Sequence, residues 1–370
     1  MKNRYLISSI LIIVVLLGLS VWAWVKPADE YSGSERRPFA QFPELSVKTL
    51  LSGDFTASFE DYATDQFPMR DSFRTLKAIA KFYAFNQKDN NDIYIHDSQA
   101  SKLDTTLKES SINNALDKMN YLYNTYVNGK TDKVYFSVIP DKSLTLAPEG
   151  GYPSVDYNAI ADRFKNGLDW ATYIDIYPLL HYSDYYSTDT HWSQDKVVDV
   201  AQTIADAMGA TVEKDYESIT LDKDFYGVYY GQSSLPLPPD KITYLTSDTI
   251  EGCLVYNYEK DNGKTPGKVY DMEKLNSKDP YEMFLSGASA LMRIVNPSND
   301  SGRKLIIFRD SYTSSLAPLL VESYSEIILI DIRYIMSSFV GSFVTEQDFT
   351  DADVLFLYSA MILNASEAFK

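Results

Sequence analysis

The first pattern along the chain is an uninterrupted apolar run. Residues 5–25 contain no charged side chain. At about 1.5 Å of rise per residue, a helix over this run crosses the roughly 30 Å hydrocarbon core of a bilayer. Lys2 and Arg4 precede the run, which sets the N-terminus in the cytoplasm. Trp22 and Trp24 lie near its far end, where indole rings favour the interface. No small-x-small cleavage pattern follows, so an uncleaved anchor over 1–25 is expected rather than a removed signal peptide. With either fate of the segment, the chain that follows is exported.

Residues 26–48 are polar and broken by Pro27, Gly33, Pro38 and Pro43, the composition of a stalk. The expected folded domain covers 49–370. Helical spacing of Phe73, Leu76, Ile79 (or Ala80) and Tyr83 predicts an amphipathic helix over 70–86. A second helix over 108–128 places Ile112, Leu116, Met119, Leu122 and Tyr126 on one face, with Gly129 as its stop. A third is expected over 157–170. Ser193 can cap a fourth, running from Gln194 to Met208. Short apolar segments at 134–139, 172–176, 304–308, 326–330 and 353–358 predict strands. Thr313–Ser323 can be a helix that Pro318 shortens or kinks. Strands alternating with helices imply an α/β fold with a mostly parallel sheet. Residues 210–300 show no clear period, and Pro236, Pro238 and Pro239 mark a loop there.

Charge narrows the partners. There are 51 acidic against 34 basic residues, a net charge of −17. That balance disfavours nucleic acid, whose phosphates need a basic surface. Cys253 is the only cysteine, so no intramolecular disulfide forms and a thiolate metal site is not expected. No cofactor is expected either. His96, His181 and His191 are the only histidines.

Two segments could carry chemistry. The first is Ser187-Thr188-Asp189-Thr190-His191-Trp192-Ser193, just before the predicted helix at Gln194. On an extended segment, residues two apart point the same way, so Asp189 could hold the imidazole of His191. A carboxylate that orients an imidazole makes a general base. The plainer reading is an Asp that caps a turn and a His packed beneath Trp192. The second segment is Arg309-Asp310-Ser311-Tyr312, a turn from a buried strand into a helix. A Ser at that place sits at the C-terminal edge of a parallel sheet, and its N–H at a helix N-terminus could stabilise an oxyanion. Here too a simple cap is the plainer reading. Together the segments supply a nucleophile, a base and an orienting group. His96 reads as a strand end, and His181 as a loop residue.

An ordered series of short motifs resembles the DHHW proteins. It includes Glu35-Arg36-Arg37-Pro38, Phe42-Pro43, Gly53-Asp54-Phe55 and residues 62–70 from Tyr62 to Arg70. It continues through Pro140-Asp141-Lys142, Thr188-Asp189-Thr190-His191-Trp192 and Asp279-Pro280-Tyr281 to Asp310-Ser311-Tyr312 and 331–334. More distantly, the chain resembles polysaccharide O-acetyltransferases of the AlgX and AlgJ kind and other SGNH-hydrolase-like proteins. One position departs from the Asp-His-His-Trp pattern: Thr190 replaces the first His.

The resemblance implies a three-layer sandwich in permuted motif order, preceded by the membrane helix, with a Ser311-His191-Asp189 triad. It implies a single-pass cell-membrane protein with an extracellular domain, an O-acyltransferase (acetyl being the expected group) that modifies a cell-surface or secreted polysaccharide. A carbohydrate esterase or deacetylase would use the same residues with water as acceptor. A polysaccharide-binding or assembly protein without catalysis would use the fold alone. Implied partners are the polysaccharide acceptor, a multispanning membrane acyltransferase and polysaccharide synthase machinery. Arg333 is a candidate second oxyanion donor or a surface ion pair, and Tyr312 and Trp192 are candidate substrate contacts.

Overall fold

A computed structural model of the chain describes residues 2–370, with side chains from Tyr5 onward. It divides into two compact units. The first comprises residues 1–91 with 230–237, the second 92–229 with 238–370.

The N-terminal unit begins with helix α1 (Lys2–Val25), which is long and apolar enough over Tyr5–Val25 to cross a membrane. The polar segment behind it is fastened down. Tyr31–Ser32 and Arg37–Pro38 form a short antiparallel hairpin. Helix α2 (Val47–Ser52) is joined to α3 (Asp54–Asp65) through Gly53, which takes a left-handed φ of 83°. Arg37 grips Asp65 with two hydrogen bonds of 2.6 and 2.8 Å, and the Ala40 N–H adds a third at 2.9 Å. Arg37 is the main reason that the Asp65 carboxyl is held below the usual range. Gln66 bonds both backbone groups of Asp29 at 2.8 Å. Glu35 pairs with Arg70 and Arg74 of helix α4 (Arg70–Ile79). The motif residues around 35–37 and 62–70 therefore staple this unit together. Helix α4 continues through a π turn to Ala84. Its apolar face stays in solvent, contrary to the usual fate of such a stripe: Phe73, Leu76 and Tyr83 are 44%, 61% and 82% exposed.

The larger unit is built on an eight-stranded sheet. Its strands are β1 (Val134–Ile139), β2 (Thr172–Tyr173), β3 (Leu254–Asn257), β4 (Pro266–Gly267), β5 (Leu291–Val295), β6 (Lys304–Arg309), β7 (Glu326–Ile330) and β8 (Asp353–Ser359). Their spatial order is β4-β3-β5-β7-β6-β8-β1-β2. The run from β7 to β2 is parallel, so all five strands anticipated from the sequence share one sheet. The irregular region supplies an antiparallel edge, β4, β3 and β5.

Strand periodicity explains the layers. Leu305 and Ile307 of β6 point to one face and pack with Val200, Ala201 and Ile204 of helix α7 (Val198–Ala207). Ile306 and Phe308 point to the other and pack with helices α5 (Glu109–Leu122) and α6 (Tyr157–Gly167). The result is a three-layer α/β sandwich. The helix anticipated from Gln194 begins differently. Gln194–Lys196 is a 3-10 turn, and α7 starts at Val198. Ser193 bonds the Asp195 carboxylate instead of capping. Pro318 has the expected consequence, confining α-helix to Thr313–Leu316 before a 3-10 stretch.

Candidate active site

Ser311 follows the C-terminal end of β6, which lies inside the parallel run between β7 and β8. The turn that presents it is fixed by Asp310. One carboxylate oxygen accepts the Tyr312 N–H at 3.1 Å, and the other accepts the Ser359 N–H at the end of β8, at 2.7 Å. Two neighbouring strands therefore hold the serine.

Asp189 and His191 arrive on a loop. They sit in a tight bend rather than on the extended segment anticipated from their spacing. Asp189 Oδ1 accepts both the backbone N–H of His191 (3.1 Å) and its Nδ1–H (2.6 Å), so an Asx-type turn brings the pair together. Asp189 Oδ2 accepts the Val228 N–H at 2.8 Å. On the opposite side of the imidazole, Nε2 lies 2.8 Å from Ser311 Oγ. The three residues thus form a continuous relay, although 120 positions separate His191 from Ser311.

The loop is held from several directions. Asp240 accepts the N–H groups of Ser187 (2.7 Å) and Thr188 (2.8 Å) together with the Thr188 hydroxyl. Gly227 passes so close that a Cβ there would lie 2.3 Å from Asp189 Cβ. Lys142, from the Pro-Asp-Lys motif, is buried below the loop and donates to the carbonyls of Tyr186 (2.5 Å) and Ser187 (3.4 Å) and to Gln99 (3.3 Å). Burial pushes its ammonium down to about 8, against the pull of Asp141, Asp240 and Asp189. Tyr281 stacks flat on His191, with ring centres 3.9 Å apart. Its hydroxyl and the Trp192 indole N–H meet at Ser315.

Two anticipated substrate contacts take other places. Trp192 and Tyr312 are 0% and 1% exposed. Tyr312 donates to the Thr190 carbonyl at 2.7 Å and lies 3.0 Å from its hydroxyl, and its own N–H is taken by Asp310. Both rings brace the histidine loop from beneath, because their bulk and single polar atoms are satisfied inside the core. Thr190, where the motif has a histidine, is one anchor of that brace. His181 pairs with Glu149 on the surface, outside the relay.

Beside Ser311 and His191 opens a cavity of about 260 Å³ whose lining includes Arg309, Ser314, Tyr281 and Arg333. The two arginines differ. Arg333 is clasped by Asp331 through Nε (2.9 Å) and Nη2 (2.6 Å). Burial opposes its charge, but the carboxylate prevails and its proton is held more tightly than usual. Arg309 is 1% exposed, and its Nη1 reaches only neutral oxygens, Ser314 Oγ at 3.0 Å and the Asp310 carbonyl at 3.4 Å. Its Nε is buried without a partner among the described residues. Burial lowers its proton affinity. Sequence reasoning gave Arg309 no role. The available signal was a cation ending an apolar strand two positions before the serine. Among the described residues, no group of three or more His, Cys, Asp or Glu is placed to hold a metal ion.

This arrangement can move a proton from a serine hydroxyl to a carboxylate-braced imidazole, the first step of acyl transfer. No protein-family model and no curated protein matches the sequence. Solved structures do. A DHHW family protein from Eubacterium siraeum superposes with a TM-score of 0.64 at 22% identity, covering 76% of this chain and 94% of its own. The chain shares its fold with a DHHW protein. Bacillus cereus PatB1, solved with a sulfonyl adduct, superposes with a TM-score of 0.56 at 18% identity over 73% of this chain and 95% of PatB1. The O-acetyltransferase domain of Pseudomonas putida AlgJ gives a TM-score of 0.43 at 11% identity, over 74% and 92% of the two chains.

Proposed function

We propose that this protein is a membrane-anchored, extracytoplasmic O-acyltransferase that places acetyl groups on a polysaccharide. The observation that carries the reading is the relay itself: Asp189 to His191 at 2.6 Å and His191 to Ser311 at 2.8 Å, at the mouth of a small cavity. In this reading Ser311 Oγ attacks the acyl carbonyl of the donor while His191 Nε2 takes the hydroxyl proton. Asp189 holds the imidazole in the required tautomer and stabilises its charged form. The tetrahedral oxyanion collapses, and the donor's leaving group departs with the proton from His191. A sugar hydroxyl then attacks the acyl-Ser311 ester, gives its proton to His191, and leaves acylated as Ser311 takes the proton back. Arg309 and Arg333, which line the cavity beside Ser311, would be the cations suited to stabilising the oxyanion. The donor acyl group would come from a multispanning membrane acyltransferase, and the acceptor from a polysaccharide synthase system at the same membrane.

The test is covalent capture. An activated acetyl ester should raise the intact mass by one acetyl group, located on the peptide containing Ser311. A sulfonyl fluoride should label the same residue, as PatB1 carries a sulfonyl adduct. Ser311→Ala should abolish both adducts. His191→Ala should slow acetylation by roughly two to four orders of magnitude, the usual range for loss of a general base. Oligosaccharide should discharge the acetyl-enzyme faster than water does. Discharge at the same rate across a panel of glycans would make the protein an esterase. An acetylation rate unaffected by Ser311→Ala would leave only a non-catalytic role.

A further inference from the structure

The N-terminal unit exposes more apolar surface than a water-facing surface explains. Leu51, Val47 and Leu45 are 84%, 75% and 62% exposed. Phe42 and Leu50 are 54% and 52% exposed. Soluble surfaces carry such residues singly, and contiguous patches mark contacts. Here four of the five fall within residues 45–51, on and just before α2, which joins α3 through Gly53. Phe55, Phe59 and Tyr62 lie along one face of α3 at helical spacing, and Phe42 packs on all three, with ring centres 6.4, 6.0 and 5.3 Å away.

The patch has a fixed starting point. The Phe59 ring lies 6.4 Å from that of Trp24, in the last turn of the apolar helix. A groove also begins at Trp22 and Lys26 and continues to Phe67 and Met69. A helix over Tyr5–Val25 has about the length of the hydrocarbon core, so Trp24 stands at its boundary. The headgroup layer beyond is some 5–8 Å deep, and interfacial helices sink their apolar face roughly 5–10 Å into that boundary. A ring in contact with Trp24 is inside this layer. Net negative charge does not oppose such binding, because the patch is apolar and aromatic and needs no anionic lipid.

We infer that α2 and α3 lie in the membrane–water interface as an apolar collar around the foot of the anchor, with phospholipid as their partner. The inference rests on the reading of residues 5–25 as a membrane span, and it adds a second, peripheral contact that holds this unit against the leaflet.

Depth measurement by electron paramagnetic resonance tests it in the full chain reconstituted in phosphatidylcholine vesicles. Native Cys253 is buried, so a nitroxide reports on an introduced cysteine. Three positions suffice: Leu51→Cys on the collar, Val15→Cys within the span, and Asp222→Cys, whose side chain is fully exposed. Oxygen concentrates in lipid and a nickel chelate in water. The ratio of their collision rates at Leu51 should exceed that at Asp222 several-fold and fall below that at Val15. A water-like ratio at Leu51 with a lipid-like ratio at Val15 overturns the collar and leaves the span standing. A water-like ratio at Val15 overturns both. Spin–spin broadening at Leu51 that disappears on dilution with unlabelled protein would mean that a second copy covers the patch, and would also overturn the collar.

Discussion

Gly227→Ala is the substitution that most directly tests whether the histidine loop is built for chemistry. A methyl group there would sit 2.3 Å from Asp189 Cβ, 2.4 Å from Asp189 Cα and 2.4 Å from the Thr188 carbonyl oxygen. Two of these are backbone atoms, which cannot swing aside as a side-chain tip would. Separating them to ordinary contact, near 3.4 Å, moves one segment by about 1 Å, and a misplacement of that size costs roughly 100-fold in rate. The same shift strains the 2.8 Å bond from the Val228 N–H to Asp189 Oδ2 and the 2.9 Å bond from the Gly227 N–H to the Thr188 hydroxyl. A hydrogen bond to a charged group contributes about 1.5–3 kcal/mol, so thermal stability should fall as well. The assay is the rate of Ser311 acetylation by an activated ester, measured beside near-ultraviolet circular dichroism and melting temperature. The expected result is a folded protein with a lowered melting point and a rate about 100-fold down. A folded variant that acetylates at the native rate would refute the claim that Asp189 must be held by this strand of backbone.

Arg309→Met should leave stability unchanged or raised, since a buried cation with no carboxylate ion pair among the described residues is replaced by apolar bulk; acetylation should nevertheless fall about 10²–10³-fold if its guanidinium stabilises the oxyanion, and unchanged kinetics would remove it from the reaction. Lys142 has a pH signature whose sign is fixed. Its folded value of about 8 lies below the ordinary 10.5, so the unfolded chain binds the proton more tightly between those values, and the native protein should gain stability as pH rises from 8 to 10.5. The gain approaches about 3 kcal/mol, and urea midpoints at pH 7.5 and 10 should show it in the native protein but not in Lys142→Met. The Asp65 carboxyl has the opposite sign: its folded value is depressed by Arg37, so its contribution is present above the ordinary carboxylate range and lost in acid. Asp65→Asn should therefore make proteolysis of residues 26–48 insensitive to pH below 4, where the native chain should become more susceptible.

The parallel core could be read from the sequence because β6 to β8 are short apolar runs set between helical spacings. Asp189 and His191 were legible as a pair, although the geometry that joins them is a turn rather than a pleat. Their partners were not. Asp240, Gly227 and Lys142 act on the loop from 39 to 53 positions away, and nothing local to those residues marks the contact. The antiparallel edge was missed for a related reason. Strands β3 to β5 take their register from each other and from β7, so their own periodicity is weak. Trp192 and Tyr312 misled because an aromatic residue beside a reactive one suits a binding surface and a core brace equally well. The stripe of α4 misled in the other direction: helical spacing says which residues share a face, and not what covers it.

The placing of β8 has a consequence for biogenesis. It lies in the centre of the parallel run, between β6 and β1, and pairs with β1 across more than two hundred residues. Its terminal residue, Ser359, also supplies the N–H that clamps Asp310 beside the serine. A chain emerging N-terminus first therefore presents its histidine loop and then its serine while the middle of the sheet is still open. Contacts this distant in sequence form late, because the intervening loop must be closed before they reward it. Ser311 acquires its final geometry only once β8 has inserted, so a chain that stalls before that point carries Asp189, His191 and Ser311 yet lacks the scaffold that aligns them.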